Sequence, residues 1–167
     1  RRGRSGYPTV DAANPTTENP WGHIIRWKDA RDHVGTSFRW NIFALAKDVV
    51  DENGQMFGSP DGIWVDDDGR VFIQTDGTQP GGANNQLLVT DTDGSIYKRL
   101  FTGVPGCEIT GVATTPDRRT MFVNIQHPGG GSRTATNFPE EYTGSSGPVP
   151  RDATVVIRRK NGGIIGS

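Results

Sequence analysis

A hairpin pattern written twice constrains this chain more than any other feature. Residues Phe57 to Gly77 read FGSPDGIWVDDDGRVFIQTDG. Ile63, Trp64 and Val65 form a short apolar run, and Val71, Phe72 and Ile73 form a second. Asp66-Asp67-Asp68-Gly69 separates them, a turn signal because Asp tolerates the left-handed region and Gly enters it without steric cost. The pattern predicts two antiparallel strands. Ser59-Pro60-Asp61-Gly62 and Gln74-Thr75-Asp76-Gly77 then fall at one end of the hairpin, which brings the carboxylates of Asp61 and Asp76 within reach of each other. The order recurs from Glu108 to His127: an acidic residue, Gly111, a strand, a turn at Asp117, a second strand and a polar end. Gly62 aligns with Gly111 and Phe72 with Phe122, 49 and 50 residues apart. A period of about 40–50 residues is what propeller blades of four short strands produce.

Composition supports the same class. The 23 Gly and 11 Pro residues make up about a fifth of the 167-residue chain, and together with Asp they punctuate nearly every stretch of ten. That leaves no room for long helices and argues for an all-β protein. A net charge of −1 predicts neither a nucleic-acid surface nor a membrane patch, and no apolar run is long enough to span a bilayer. Cys107 is the single cysteine, which excludes an internal disulfide framework. Arg1-Arg2 is not followed by the apolar segment of an export signal and reads as a basic terminus. With Arg at position 1, the chain is expected to be an internal or C-terminal piece of something longer.

Residues 1–18 are rich in Gly, Pro, Asn and Thr and read as a flexible N-terminal segment. From 19 to 167 the chain reads as one propeller-blade region. His23 to Trp27 and Ser37 to Phe43 make a first hairpin, in which Phe38, Trp40 and Ile42 alternate with polar residues. Phe43 to Val50 either extends it or forms a short helix. Asn85 to Thr90 and Ser95 to Phe101 make another hairpin around Asp91-Thr92-Asp93-Gly94. Residues 128–152 form a long loop of the kind that is functional, inserted or mobile. Ala153 to Arg159 and Ile164-Ile165 are expected to close the chain as a last hairpin.

Asp61, Asp76, Glu108, Asn124, Gln126 and His127 all sit at strand ends, on the side expected to face a common axis. Hard oxygen donors arriving from several loops suit calcium, although any one Asp-Gly taken alone is better read as a turn. The pairs Asp66–Asp68 and Asp91–Asp93 occupy hairpin turns and are assigned to turn chemistry. His127 is a candidate to bind phosphate or metal, or to cap its strand. Cys107 could be a thiolate ligand, but a lone cysteine is more often a small buried hydrophobe. No phosphate loop, nucleophile elbow or zinc spacing is present.

Several stretches together resemble one family, the PhoX-type secreted alkaline phosphatases. They are Asn19-Pro20-Trp21-Gly22-His23-Ile24, Ser59 to Trp64, Ile73 to Gly77, Gly106 to Gly111, Thr120 to Gly129 and Gly162 to Gly166. The resemblance runs from about Glu18 to the C-terminus, and the ordered spacing of the stretches makes it more specific than any single motif. It implies a β-propeller whose axial site holds iron and calcium and hydrolyses phosphate monoesters outside the cytoplasm after twin-arginine export, in the periplasm or beyond. It further implies that Asp61, Glu108 and Asp76 face the metals and that Asn124 and His127 serve the substrate, with no assignment of residue to ion and no catalytic residue named.

The family's propeller is several times longer than this chain, so two to three antiparallel blades are expected, unable to close a ring. The expected function is the C-terminal propeller portion of an exported metal-dependent phosphatase, inactive in isolation. Its partners would be the remaining blades and a phosphate-monoester substrate. The isolated chain would hold no metal, or calcium weakly, and would associate with itself through exposed blade edges. Two other classes fit the residues: a non-catalytic binding module, and a calcium-dependent propeller lactonase or sugar hydrolase.

Overall fold

Three antiparallel sheets packed face against face make up the body of the protein, seen in a computed structural model that describes residues 9–139, 143–144 and 147–167. The first sheet pairs β1 (His23–Asp29) with β2 (Phe38–Leu45). The second has the order β3 (Pro60–Val65), β4 (Val71–Thr75), β5 (Gln86–Thr90), β6 (Tyr97–Thr102), each strand beside its neighbour in sequence. The third combines β7 (Glu108–Thr114), β8 (Thr120–Gln126) and β11 (Ala153–Arg158), with β8 in the middle. Between β8 and β11, two-residue strands β9 (Thr143–Gly144) and β10 (Gly147–Pro148) pair with each other. The protein is therefore all-β, with only two single-turn 3₁₀ segments among the described residues.

The second sheet lies between the other two, and its strands show it. Cross-strand partners share a face. Phe72 pairs with Val89 and Ile73 with Leu88. Phe72, Leu87 and Val89 pack against Ile109, Met121, Val123 and Ile125 of the third sheet. Ile73 and Leu88 pack the other way, against Ile24, Ala44 and Phe57. A strand covered on both faces needs no polar alternation, and all five residues of β5 are buried.

The tight turns follow their sequence signals. Asp66 Oδ1 accepts from the backbone N–H of Asp68 and Arg70 at 3.0 and 2.9 Å, and Gly69 has φ 79°. Asp91 does the same work in the β5–β6 turn, accepting from Ser95 N–H at 2.8 Å. Phe43 to Val50 resolves into both of its readings: β2 runs on to Leu45, and a 3₁₀ turn follows at Ala46–Asp48.

The repeat has a structural counterpart. Both β3 and β7 break register at their glycine, between Pro60 and Ile63 and between Thr110 and Ala113. At each break a carboxamide from the partner strand lies over the glycine. A Cβ on Gly62 would stand 2.7 Å from Gln74 Nε2, and one on Gly111 would stand 2.2 Å from Asn124 Nδ2. The aligned phenylalanines differ, however. Phe72 is buried between two sheets, whereas Phe122 is 37% exposed on the outer face of the third sheet.

The expected C-terminal hairpin is not formed. Ala153–Arg158 pairs with β8 in full register, Val155 opposite Val123, and Ile164-Ile165 lies in a turn. Ile165 donates its N–H to Arg118 O at 3.0 Å and buries its side chain in the inter-sheet core. The reason is competition: β8 offered an unpaired edge and an apolar face, while Ile164-Ile165 is too short to provide either. The 1–18 segment carries no strand or helix from residue 9 onward; residues 1–8, and parts of the expected 128–152 loop, lie outside the described residues.

Candidate metal centre

Asp76, Glu108 and His127 converge, each offering one ligand atom within 4.8 Å of the others. Three different strand ends deliver them. Asp76 follows β4 on the face that Phe72 and Gln74 present to the third sheet, by the two-residue period of a strand. Its N–H donates to Ser59 O at 3.0 Å, which fixes the backbone where β4 ends. Glu108 opens β7 opposite Gln126 of β8. His127 follows directly on Gln126 with φ 38°, a left-handed turn that takes its side chain off the strand. Asp152, just before β11, holds that turn by accepting the His127 N–H at 2.6 Å.

The imidazole is held at both nitrogens. Nδ1 lies 3.2 Å from Gly106 O and Nε2 lies 3.3 Å from Glu108 Oε2. Burial disfavours the charged ring, but the Gly106 carbonyl and the Glu108 carboxylate outweigh it, and the pKa is raised above the usual histidine value. With Nδ1–H given to Gly106 O, a deprotonated Nε2 would offer its lone pair to a cation lying between it and the carboxylates of Glu108 and Asp76. A carbonyl holding one ring nitrogen while the other faces acidic groups is the arrangement of a metal-ligating histidine. Two carboxylates and an imidazole suit a transition metal such as iron better than calcium, which prefers oxygen alone. The donor set fits a multivalent cation.

The other expected site residues are placed differently. Asp61 is not part of the trio. The register break at Pro60–Ile63 turns it toward the first sheet, where it lines a cavity of about 500 Å³ together with Trp21, His23 and Asp76. Asp76 thus belongs to both places. His127, a candidate for phosphate or metal, stands with the carboxylates and apart from Asn124. Asn124 faces a separate hollow with Thr110, Asp152 and Thr154, and its Oδ1 accepts from Thr154 Oγ1 at 2.7 Å. Cys107 is 1% exposed in the apolar core, where burial pushes its thiol pKa up. That is a small hydrophobe, not a thiolate ligand.

Sequence reading overlooked the residues that support the site. Asp152 sits in what reads as loop, with nothing local to connect it to His127. Thr75, Gln79, Asn85 and Gln86 form a buried polar network behind Asp76 and Glu108. The only sequence signal for it is an unusual density of amides, Gln79, Asn84, Asn85 and Gln86, around an apolar strand.

The family model for alkaline phosphatase PhoX matches residues 2–129. Among solved structures, the chain is similar to Pseudomonas fluorescens PhoX in complex with vanadate, a transition state analogue, with a TM-score of 0.81 and 36% sequence identity. The match covers 99% of this chain and 31% of that one, so the chain spans about a third of the length of the solved protein. No curated protein matches. Among the described residues, no helix is long and apolar enough to cross a membrane. With the family model covering most of the sequence, and a solved PhoX structure 36% identical over nearly all of it, this chain belongs to the PhoX alkaline phosphatase family.

Proposed function

We propose that the chain forms part of an exported, metal-dependent phosphate-monoester hydrolase, its three packed sheets serving as blades of a larger β-propeller. Glu108, Asp76 and His127 supply strand-end ligands to an axial cation site. The observation that carries this reading is the meeting of Asp76 from one sheet with Glu108 and His127 from the next. Iron would take the imidazole and a carboxylate, and calcium would take carboxylate oxygens, Asp61 among them. Asn124 remains a proposed contact for the substrate. Bound multivalent cations would neutralise phosphate oxygens and polarise the phosphoryl group.

The chain by itself is inactive in this reading. Three side chains fill only part of a calcium shell of about six to eight oxygens, so cations bind weakly until other blades add donors. The test is metal content and para-nitrophenyl phosphate hydrolysis, on the 167-residue chain and on a full-length PhoX protein containing it. Turnover and tightly retained metal are expected only in the longer protein, the short chain binding cations weakly, and both should fall after Glu108→Ala. Full metal loading and activity in that variant would overturn the site, and turnover by the short chain would overturn its inactivity.

A second reading, a non-catalytic binding module, draws on the first sheet. Trp27, Phe38 and Trp40 are 63%, 60% and 41% exposed there, an apolar surface of the kind that marks interaction sites.

A further inference from the structure

Asn85 touches none of the three proposed ligands, yet its side chain ties together the backbone segments that carry two of them. It directly precedes β5 and is 8% exposed. Its Oδ1 accepts from Thr75 Oγ1 at 2.9 Å and from Gln79 Nε2 at 2.9 Å. Its Nδ2 donates to Cys107 O at 2.7 Å. Thr75 is the residue before Asp76, and the Cys107 carbonyl belongs to the peptide bond that enters Glu108. One carboxamide therefore spans the gap between the second and third sheets at the end where the acidic groups meet.

The surroundings make this link stiff. The Asn85 carbonyl accepts from Gly103 N–H at 2.8 Å, so the 103–107 loop is held to Asn85 at both ends. That loop packs so closely that a Cβ on Gly103 would stand 2.3 Å from Cys107 Sγ. On the other side, Gln79 accepts from Gly58 N–H at 3.0 Å and donates to Gly58 O at 2.8 Å. Gly58 precedes Ser59, whose carbonyl receives the Asp76 N–H. Apolar side chains would fill this space without desolvating four polar ones. A buried polar network specifies one geometry instead of many, and the geometry specified here is the separation of Asp76 from Glu108.

We infer that Asn85 is a positioning residue for the cation site, setting the distance between the carboxylates of Asp76 and Glu108 across the sheet boundary. This rests on the proposed cation role of Asp76, Glu108 and His127. Without the Asn85 link, the 103–107 loop moves relative to the end of β4, and the trio opens while the two apolar cores stay packed.

The test uses Mn²⁺ as a paramagnetic probe of the 167-residue chain, read as broadening of the His127 imidazole resonances, with the exposed His33 as internal reference. Wild-type chain should broaden at His127 before His33, and Glu108→Gln should lose that selectivity. Asn85→Ala should need about tenfold more Mn²⁺, the low end of the loss expected when a ligand's supporting partner is removed. Gln86→Leu, which disturbs the same network without touching the Thr75–Cys107 link, should stay within about twofold of wild type in Mn²⁺ response, since no partner of a ligand is lost. Should Asn85→Ala not fold, Asn85→Ser provides the reading, because its hydroxyl is too short to reach the Cys107 carbonyl. If Glu108→Gln loses selectivity while Asn85→Ala and Asn85→Ser titrate as wild type, the positioning role is overturned and the cation site stands. A Gln86→Leu loss as large as that of Asn85→Ala would reduce Asn85 to general packing and also overturn the role. If wild type shows no preference for His127, or Glu108→Gln matches wild type, the cation reading fails and Asn85 with it.

Discussion

Arg118 Nη1 lies 2.8 Å from Asp68 Oδ2, an ion pair that fastens the β7–β8 turn of one sheet to the β3–β4 turn of the next. The same guanidinium is 3.7 Å from Asp66 Oδ2, whose side chain is 1% exposed and sits 2.6 Å from Arg70. The sheets are thus joined ionically at the end opposite the cation trio.

Asp66→Ala should destabilise the chain by about 3 kcal/mol, because it strips a buried acceptor from two backbone N–H groups and leaves Arg70 without its closest partner. Arg118→Ala should lower the melting temperature less, since Arg70 still compensates Asp66, and its effect should shrink with added salt. Thermal melts of both variants at low and high salt check the order. An Arg118→Ala loss as large as that of Asp66→Ala would show that the inter-sheet pair dominates.

The glycines beneath the carboxamides separate two kinds of strain. Gly111 has φ 63°, so Gly111→Ala should cost about 1–2 kcal/mol from the left-handed backbone alone. Asn124, half-buried, can swing aside. Gly62 lies under Gln74, which is 4% exposed and offers Nε2, Cδ and Cβ all within 3.3 Å of an added Cβ. There the obstruction is side-chain packing, so Gly62→Ala should be substantially relieved by Gln74→Ala, while Gly111→Ala should gain little from Asn124→Ala. Urea denaturation of both double-mutant cycles makes the comparison.

Asp91 gives the chain an acid-sensitive turn. The Ser95 hydroxyl at 2.6 Å, aided by the backbone N–H groups of Ser95 and Ile96, holds its pKa well below the usual carboxylate range despite partial burial. A depressed carboxylate contributes stability that is fully present above its unfolded pKa, about 4, and lost as pH falls through the lower folded value. Ser95→Ala should therefore destabilise the chain near neutral pH and flatten its loss of stability below pH about 4. Stability measured from pH 7 downward on both chains reads the sign.

The outer faces should drive self-association. Phe122 and Val156 are 37% and 57% exposed on the third sheet, and Trp27 and Phe38 are 63% and 60% exposed on the first. Sedimentation should show dimers or larger species at high concentration, and replacing Phe122 and Val156 together by Ser should shift the distribution toward monomer. A wild-type monomer throughout the range would contradict this.

Much of the fold was legible in the sequence because its signals are local. Asp66, Gly69 and Asp91 make their turns with partners no more than five residues away. The strands they join follow from apolar runs between those turns, and the 49–50-residue spacing of Gly62/Gly111 and Phe72/Phe122 marked the recurring hairpin. Which strand ends meet was not local, and tertiary structure decided it. A one-residue break at Pro60–Ile63 left Asp61 in a cavity beside Asp76 but outside the trio that Asp76 forms with Glu108 and His127. His127 reached Glu108 through a left-handed residue whose backbone is held by Asp152, 25 positions on. Ala153–Arg158 took its partner from β8, because burying an open edge and an apolar face outweighs the proximity of Ile164-Ile165. Asn85 gained its connection to Cys107 only when two sheets closed over it. Turn chemistry is written within a few residues, whereas strand partners and site geometry are set by burial between distant segments.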